Sequence, residues 1–413
     1  MQKLALTILG TALAMILSAP QALSAPDQSI SPTGRSAKQR VAASQHKRTL
    51  TFSEIGDDYS ALKDYLQKKY GLSYALDVSY MPQYGAPSGK GTAFQTIVYP
   101  SIIWEMFNTP YGNATLNAAY NMVRYSGANG SKIGNRIGVV TGINDYASQS
   151  NSFDELYISY QFPARMSWLS VALGQFPLYN FDGTAYDSNQ QENFINYALS
   201  QNASSTYPTA SMGGYVQISP NSEWSFAFGG QDAHNIDGNG ISSSHLFKKH
   251  AHYTTFVSAS YTPTIKNLGS GQYSVLLYNQ PWVDVQKQTT NGWSLNASQN
   301  LGEKWALFAR ANGVSGSTAT IKRSYVLGAV YNNPLNRNPL DQIGLAAAYN
   351  RLSQKAVGTR LSHRAETVLE AYWAWGVSKW ATITPDIQYY INPALNAKSN
   401  NAAVFSLRAS VFF

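Results

Sequence analysis

Cysteine is absent from this sequence, and charged residues are scarce. Without cysteine, neither a disulfide scaffold nor a cysteine-ligated metal can hold the chain together. Charged residues make up 13% of the 413 residues, which is about half the usual share of a globular protein. After the N-terminal segment no run approaches the roughly 20 apolar residues of a membrane-spanning helix, although 44% of all residues are hydrophobic. Hydrophobic residues spread in this way are typical of β-strands.

The excess of basic residues does not indicate a nucleic-acid partner. The formal net charge is +8, but six basic residues lie within the first 50 positions, and no basic stripe with interleaved aromatic residues follows them. Aromatic residues are abundant instead, with 28 tyrosines and 9 tryptophans. Many Tyr and Trp with few charges are typical of the two aromatic girdles of an outer-membrane barrel.

The N-terminal segment has the pattern of an export signal. Lys3 precedes the apolar run Leu4–Leu17, which is too short to span a membrane, and small residues precede a cleavage site that we predict after Ser24. We therefore predict a signal peptide over residues 1–24. Residues 25–56 are rich in Ser, Ala, Gln and basic side chains, which predicts a flexible basic periplasmic tail.

The pattern of residues 57–413 predicts a short helix followed by a long series of strands. Residues 58–70 follow helical spacing until Gly71, so a helix at the periplasmic rim or in the pore mouth is expected. From Leu72 onward apolar and polar residues alternate with a period of two, and the polar face is too hydrophilic for a packed core. The segments with this pattern are 72–81, 94–104, 113–124, 136–143, 155–162, 167–176, 211–219, 222–231, 251–262, 272–280, 291–300, 303–312, 324–333, 342–350, 365–376, 380–391 and 403–413.

These segments predict an all-β fold, a transmembrane antiparallel β-barrel. They number seventeen, whereas bacterial single-chain barrels have an even number of strands, so we predict about 16 strands, with 18 as the alternative. A barrel of this size leaves a water-filled channel. Short links such as Pro163–Ala164 and Pro220–Asn221 predict periplasmic turns.

The final residues, Val404–Phe413, place apolar side chains on one face and polar side chains on the other. In a barrel such a strand meets lipid with its apolar face and the lumen with its polar face. We expect it to pair with the first strand and to close the barrel. This predicts a location in the outer membrane of a Gram-negative bacterium.

The longest stretch without strand alternation is 177–210. Long loops of this kind commonly have a function, and an inward-folded loop narrows the channel of a large barrel. The segment carries aromatic rings together with Asp, Asn and Gln, which suit the flat face and the hydroxyl groups of a sugar. It predicts either a constriction with Tyr179, Asp182 and Glu192 in the pore, or a plain extracellular loop.

Charged residues within the strands provide a second set of candidate pore residues. A charge on the lipid face costs about 2–4 kcal/mol at the membrane midplane, so these side chains are expected to face the lumen. Charges there set selectivity among solutes. The predicted lumen-lining residues are Glu155, Lys304, Arg310, Glu366, Glu370, Asp386 and Arg408.

The insert 232–250 contains a fragment of a metal-site pattern. Asn235–Gly240 looks like the start of a calcium loop, but Leu246 stands where that loop requires a bidentate glutamate. His245, His250 and His252 lie close in sequence, but no cysteine accompanies them and carboxylates are distant. We therefore predict no metal, no cofactor and no catalytic residue.

Several segments carry a family resemblance. They are Gly71 at the start of the first strand, Phe153–Tyr157, Leu173–Phe176, Ser225–Asp232, Glu370–Trp373 with Trp380, and Thr384–Pro393. These segments resemble the carbohydrate-selective porin family named after the glucose porin OprB. The last is the most specific, because an Asp-Gln strand that ends in Ile-Asn-Pro before the closing strand is characteristic of that family. The sequence departs from the family at Gln175, where lysine is more frequent.

The resemblance implies a non-enzymatic porin for passive diffusion of small hydrophilic solutes, with carbohydrates as the expected class. It also implies outer-membrane lipids and lipopolysaccharide as surroundings, recognition of Phe413 by the barrel-assembly machinery, and a homo-oligomer as one assembly state. Two other functions stay open. A polysaccharide-export barrel would carry a helical-repeat domain that is not seen here, and a barrel-type outer-membrane enzyme would need a nucleophile, yet no Gly-x-Ser-x-Gly motif is present.

Overall fold

The computed structural model describes residues 55–87, 91–241, 246–248, 251–316 and 319–413. The predicted signal peptide and almost all of the predicted basic tail therefore lie outside the described residues. Within them, sixteen long antiparallel strands and one two-residue strand, Thr264–Ile265, form a single sheet.

The long strands, in chain order, are β1 (Leu72–Ala86), β2 (Thr92–Thr109), β3 (Gly112–Gly127), β4 (Ser150–Gln161), β5 (Leu169–Phe176), β6 (Ser211–Ile218), β7 (Trp224–Asp232), β8 (Tyr253–Tyr261), β9 (Gly269–Gln280), β10 (Thr290–Leu301), β11 (Trp305–Val314), β12 (Ile321–Asn332), β13 (Gln342–Leu352), β14 (Ala365–Gly376), β15 (Ala381–Ile391) and β16 (Asn401–Phe412). The helices are α1 (Ile55–Tyr70), α2 (Gly130–Ile137), α3 (Tyr197–Ser200) and α4 (Gln354–Val357), with short 3₁₀ turns at Ala164–Met166 and Leu178–Phe181.

The sheet is closed by its first and last strands. Each strand pairs with its neighbours in the chain, and β16 pairs with β1 over the register Asp77↔Phe412 to Ala86↔Ala403. At the seam the backbone groups of Leu76 and Phe413 exchange hydrogen bonds of 3.0 and 2.9 Å. Because a closed sheet has no unpaired edge, every strand can satisfy its backbone groups inside a bilayer. The predicted barrel, with the lower of the two strand numbers, is confirmed.

One predicted strand is wrong. The segment 136–143 lies in the connection between β3 and β4, where α2 is followed by an irregular stretch. Ile133 and Ile137 are buried on one face of α2, and Gly138 ends the helix with a positive φ of 79°. The apolar residues that follow the helix, Val139 and Ile143, are buried in the same hydrophobic cluster inside the barrel as Ile133 and Ile137. The apolar spacing of a short helix followed by buried loop residues thus resembles strand alternation.

The helix α1 precedes the barrel and packs against the start of β1. It ends at Gly71, which has a φ of 66°, and a Cβ on this residue would lie 2.6 Å from the carbonyl oxygen of Glu105. The described helices include none that is long and apolar enough to cross a membrane.

The outer face of the wall has an apolar belt between two aromatic girdles. Mid-strand leucines such as Leu173, Leu327 and Leu345 are exposed by 69%, 67% and 63%. Most exposed tryptophans lie near the end with short turns, namely Trp104, Trp224, Trp305, Trp373 and Trp375. The exposed tyrosines within strands lie toward the opposite end, namely Tyr80, Tyr84, Tyr253, Tyr325, Tyr349 and Tyr389. This is the pattern of a barrel wall in lipid, with its short turns in the periplasm.

The interior differs from the expected hydrophilic lumen. Inward-facing positions on β11 to β16 include many apolar side chains, among them Phe308, Val326, Val368 and Val404. They pack against apolar residues of the connections 128–149 and 177–210, both of which leave the extracellular end and fold back into the barrel. The part of the lumen on the β11–β16 side therefore contains a packed core.

Candidate functional site

The connection 177–210, here called the long insert, runs across the inside of the barrel. Nearly all of its residues are buried, and it contacts strands on opposite sides of the wall. The side chain of Gln191 reaches Ser79 on β1 at 3.4 Å, while Thr206 reaches Thr290 on β10 at 2.7 Å. The segment is therefore an inward-folded loop, and its alternative prediction as a plain extracellular loop is wrong.

Asp182 organises the first half of the long insert. Its carboxylate accepts hydrogen bonds from the Asn202 side chain at 2.7 Å and from the Tyr207 hydroxyl at 3.0 Å. A third hydrogen bond, of 3.0 Å, comes from Asn296 on β10. These bonds join two parts of the insert to each other and to the wall.

A buried ion pair fixes the middle of the long insert. The guanidinium of Arg310 on β11 lies 2.8 Å from the Asp187 carboxylate, and both side chains are almost fully buried. Arg310 also donates to the Asn296 side chain at 3.0 Å, and Asp187 accepts from the Thr184 hydroxyl at 2.7 Å. A buried pair of this kind is stable only when both partners stay, because either one alone is an uncompensated charge.

Two further wall residues hold the second half of the long insert by its backbone. Glu370 on β14 accepts hydrogen bonds from the backbone N–H groups of Ile195 and Asn196 at 2.5 and 2.9 Å. Arg408 on β16 donates to the carbonyl oxygens of Asn193 and Glu192 at 2.7 and 3.0 Å. Acidic groups thus meet N–H donors and a basic group meets carbonyl acceptors.

The connection 128–149, here called the short insert, is held in the same way. Glu366 on β14 accepts hydrogen bonds from the backbone N–H groups of Val140 and Thr141 at 3.1 and 2.8 Å, and from that of Ala394 at 3.0 Å. The carbonyl of Ile143 accepts a hydrogen bond of 2.9 Å from Gln388 on β15. Sequence reasoning missed this insert. A usable signal was Asn129, whose side chain caps the helix that follows it.

The structure therefore places most of the predicted lumen charges in contact with inserts. Glu155 accepts a hydrogen bond of 3.1 Å from Asn180, and Asp386 is buried beside Glu370. The inward-facing, buried members of the predicted set are Glu155, Arg310, Glu366, Glu370, Asp386 and Arg408.

Lys304 differs from the rest of that set. It lies in the turn between β10 and β11 at the periplasmic end, where its ammonium donates to the Asn333 carbonyl at 2.6 Å. The prediction that it points into the lumen from a strand is wrong, because the strand begins only at Trp305.

Two cavities lie at the extracellular end, between the inserts and the wall. The larger, of about 510 Å³, is bounded by the short insert, the segment 203–206 and the start of β12. The smaller, of about 410 Å³, is lined by the rings of Tyr146, Tyr179 and Tyr197 and by polar side chains. Those polar residues are Asn121, Asp145, Ser148, Gln149, Ser150, Ser152, Gln201, Thr209, Asp237 and Asn239.

Of the candidate residues in the long insert, Tyr179 reaches a cavity directly. Its hydroxyl lies 3.2 Å from that of Ser205, and its ring packs edge-on against Tyr207 at a centroid distance of 5.1 Å. Glu192 is partly buried, and its backbone carbonyl binds Arg408.

Burial alters the acid–base properties of the groups beside the cavities. Desolvation raises the pKa of Asp145 to about 7, although hydrogen bonds from Ser200 and Gln201 and the charge of Arg310 act in the opposite direction. Desolvation likewise raises the pKa of Tyr197 above its ordinary value. Asp145 is therefore a carboxyl group that changes charge near neutral pH.

Two histidine rings stack where the insert 232–250 meets the start of β8. His234 lies 2.8 Å from the Asp232 carboxylate, and its ring stacks on that of His252 at 5.7 Å. The Asn235 side chain binds the carbonyls of Ala210 and Gly240, so the calcium-like stretch is a loop tied to the long insert. His245 and His250 lie outside the described residues. Among the described residues no group of three or more His, Cys, Asp or Glu could hold a metal ion.

A closed transmembrane barrel with loops folded into its lumen defines an outer-membrane porin. A family model described as "Carbohydrate-selective porin, OprB family" matches residues 160–413. The chain belongs to this family.

Known porins are also similar to this chain. Porin AaxA of Chlamydia felis is 36% identical over 403 residues, covering 94% of this chain and 90% of the relative. Porin AaxA of Chlamydia pneumoniae is 39% identical over 366 residues, covering 86% and 82%. The structure of Pseudomonas putida OprB at high pH superposes with a TM-score of 0.70 at 18% identity, covering 86% of this chain and 97% of that one. The last comparison shows a shared fold.

Proposed function

We propose that small hydrophilic solutes cross the outer membrane through this porin by passive diffusion, with carbohydrates as the main class of solute. The observation that carries the proposal is the smaller extracellular cavity, where three tyrosine rings lie among amide, hydroxyl and carboxyl groups. A sugar ring has a C–H face that packs on an aromatic ring and hydroxyl groups that exchange hydrogen bonds with polar side chains. The description of the matching family supports the same class of solute.

We divide the candidate pore residues into two roles. Tyr179 borders the smaller cavity, so we infer that it contacts solute. The buried wall charges hold the inserts, which sets the size and position of the passage. Glu370 and Arg408, for example, bind backbone groups of the long insert.

The test is single-channel conductance of the refolded protein in a planar bilayer, with mono- and disaccharides added in rising concentration. We expect discrete steps that sugar blocks in a saturable way. Steps that are indifferent to sugar but sensitive to another small solute would mean a porin of different selectivity. Protein that is folded and inserted yet conducts no ions would contradict the channel itself.

We also propose recognition of Phe413 by the barrel-assembly machinery. Phe413 follows β16 and is bound to the backbone of β1 at the closing seam. A Phe413→Ser variant should refold into lipid vesicles in vitro about as well as wild type but reach the outer membrane poorly in cells. Equal levels of both proteins in isolated outer membranes would contradict this proposal. We further propose that the barrel is surrounded by lipopolysaccharide and that it forms a homo-oligomer. Cross-linking in isolated outer membranes tests the homo-oligomer.

A further inference from the structure

The two extracellular cavities share one boundary. Asp145, Ala147 and Tyr197 line both the cavity of about 510 Å³ and that of about 410 Å³. Asp145 and Ala147 come from the short insert, and Tyr197 comes from the long insert. The two inserts therefore meet where the two cavities meet.

Tyr197 is held in place by the helix it begins. Among the residues of α3 it is partly exposed, whereas Ala198, Leu199 and Ser200 are buried. The preceding residue, Asn196, binds the wall through Tyr390 at 2.7 Å and caps the helix through the N–H of Ala198 at 3.0 Å. The backbone is thus anchored on one side, while the ring projects toward the cavities.

The short insert supports the same ring from the other side. The carbonyl of Gly142 accepts a hydrogen bond of 3.1 Å from the backbone N–H of Tyr197. A Cβ on Gly142 would lie 3.1 Å from the Cβ of Tyr197, so glycine permits this close approach. Residues 142 and 197 therefore form one packed contact between the inserts.

Asp145 completes this contact. Its backbone N–H donates to the Gln190 side chain at 2.7 Å, and its carboxylate accepts a hydrogen bond from Ser200. Both Asp145 and Tyr197 lie within the electrostatic influence of Arg310, whose ion pair with Asp187 fixes the long insert. Asp145 and Tyr197 therefore lie between the two cavities and the part of the interior that contains the ion pair of Arg310 and Asp187.

We propose that Tyr197 and Asp145 form the size- and charge-discriminating constriction of this porin, at the point where both cavities converge. The inference rests on the proposed channel function and names the residues that set its selectivity. A ring that is braced by both inserts limits the width of the passage, and a carboxylate beside it acts on the charge of the solute.

The absence of cysteine allows a direct test. In a Tyr197→Cys variant the introduced thiol is unique in the chain. A cationic methanethiosulfonate reagent transfers its alkylthio group to the thiolate and releases methanesulfinate. If residue 197 lines the constriction, modification should lower single-channel conductance about twofold or more, because charge and bulk at a narrow point control conduction. A reducing thiol should restore the conductance.

Two variants serve as matched controls. Asn239→Cys places a thiol on the smaller cavity away from the shared boundary, and Leu327→Cys places one on the lipid face. Modification of either should leave the conductance nearly unchanged. An equal effect at 239 and 197 would overturn the assignment of the constriction to Tyr197.

Further variants separate the two residues and guard against misfolding. Tyr197→Ala should raise uptake of trisaccharides relative to monosaccharides in liposome swelling, Tyr197→Phe should not, and Tyr197→Trp should lower conductance. Asp145→Asn should reduce the preference for K⁺ over Cl⁻ while retaining the size limit. If wild type conducts and folded Tyr197 variants behave like it, the inference fails but the channel function stands. If folded wild type conducts nothing, both fail.

Discussion

At the scale of single residues, Asp145 makes a pH dependence testable. Its pKa of about 7 lies above the ordinary value of 3.8 because burial disfavours the charged carboxylate. We expect the preference for K⁺ over Cl⁻, measured as a reversal potential in a KCl gradient, to rise between pH 5.5 and 8.5, roughly the interval around that pKa. The charged or titratable groups that influence Asp145 include Arg310, Tyr125, Tyr146 and Tyr197.

An Asp145→Asn variant is the control for this titration, since it keeps the shape and removes the charge. Its reversal potential should change little over the same interval, and an unchanged titration would assign the effect to other groups. The same titration also makes the free energy of unfolding depend on pH. The folded chain holds this proton more tightly than the unfolded chain, so the contribution of Asp145 lowers the free energy of unfolding as pH rises from 3.8 to about 7.

The ion pair between Arg310 and Asp187 gives a second residue-scale prediction. An Arg310→Met substitution removes the guanidinium and leaves the buried carboxylate without its partner. We expect this to cost about 3–5 kcal/mol of the local stability of the long insert. Hydrogen exchange of residues 184–196 in refolded protein measures that cost.

The double variant Arg310→Met, Asp187→Asn tests the cause. It removes both charges, so exchange should return most of the way toward the wild-type rate. If the double variant exchanges as fast as the single variant, the packing of Arg310 rather than its charge holds the insert.

At the scale of elements, two carboxylates on β14 hold two different inserts. Glu370 binds the N–H groups of Ile195 and Asn196, and Glu366 binds those of Val140 and Thr141. Replacing either by Gln turns one acceptor oxygen into an NH₂ donor that faces an N–H. Each substitution should therefore loosen its own insert.

These two variants are controls for each other. In hydrogen exchange, Glu370→Gln should speed exchange near Asn196 and leave Thr141 protected, and Glu366→Gln should do the reverse, each by about 1–3 kcal/mol of local opening free energy. Equal acceleration of both segments in either variant would mean that the inserts open as one unit. In that case the contact between Gly142 and Tyr197 couples the two inserts more strongly than Glu370 and Glu366 hold them separately.

At the scale of the whole molecule, the bilayer is the solvent that selects the fold. Leu327 lies near the middle of β12 on the outer face and is exposed by 67%. A Leu327→Arg variant should lose about 2–4 kcal/mol of folding free energy in vesicles, because its charge would sit in hydrocarbon. Urea titration of vesicle-bound protein, read by tryptophan fluorescence, measures this loss.

Leu335 provides the matched comparison. It is exposed by 53% in the periplasmic turn between β12 and β13. There the same substitution meets water and should cost little. Equal losses at the two positions would contradict the placement of Leu327 in the membrane.

The alternation of side chains determined the barrel. A period of two with an apolar outer face is dictated by the contact of each strand with lipid, and it can be read one strand at a time. The same rule predicts that Glu155, Arg310 and Arg408 face inward, because a charged side chain in hydrocarbon costs folding free energy. These features depend on local sequence and on the solvent around each strand.

Only the tertiary structure decided what the inward charges do. Glu370 lies more than 170 residues from the N–H groups it binds in the long insert, and no local pattern records a partner at that separation. The short insert was hidden for the same reason. Val139 and Ile143 are buried by side chains that arrive from distant strands, so their spacing resembled that of a strand. The two inserts meet at Tyr197 and Asp145. This meeting point depends on how the two loops pack inside the closed barrel.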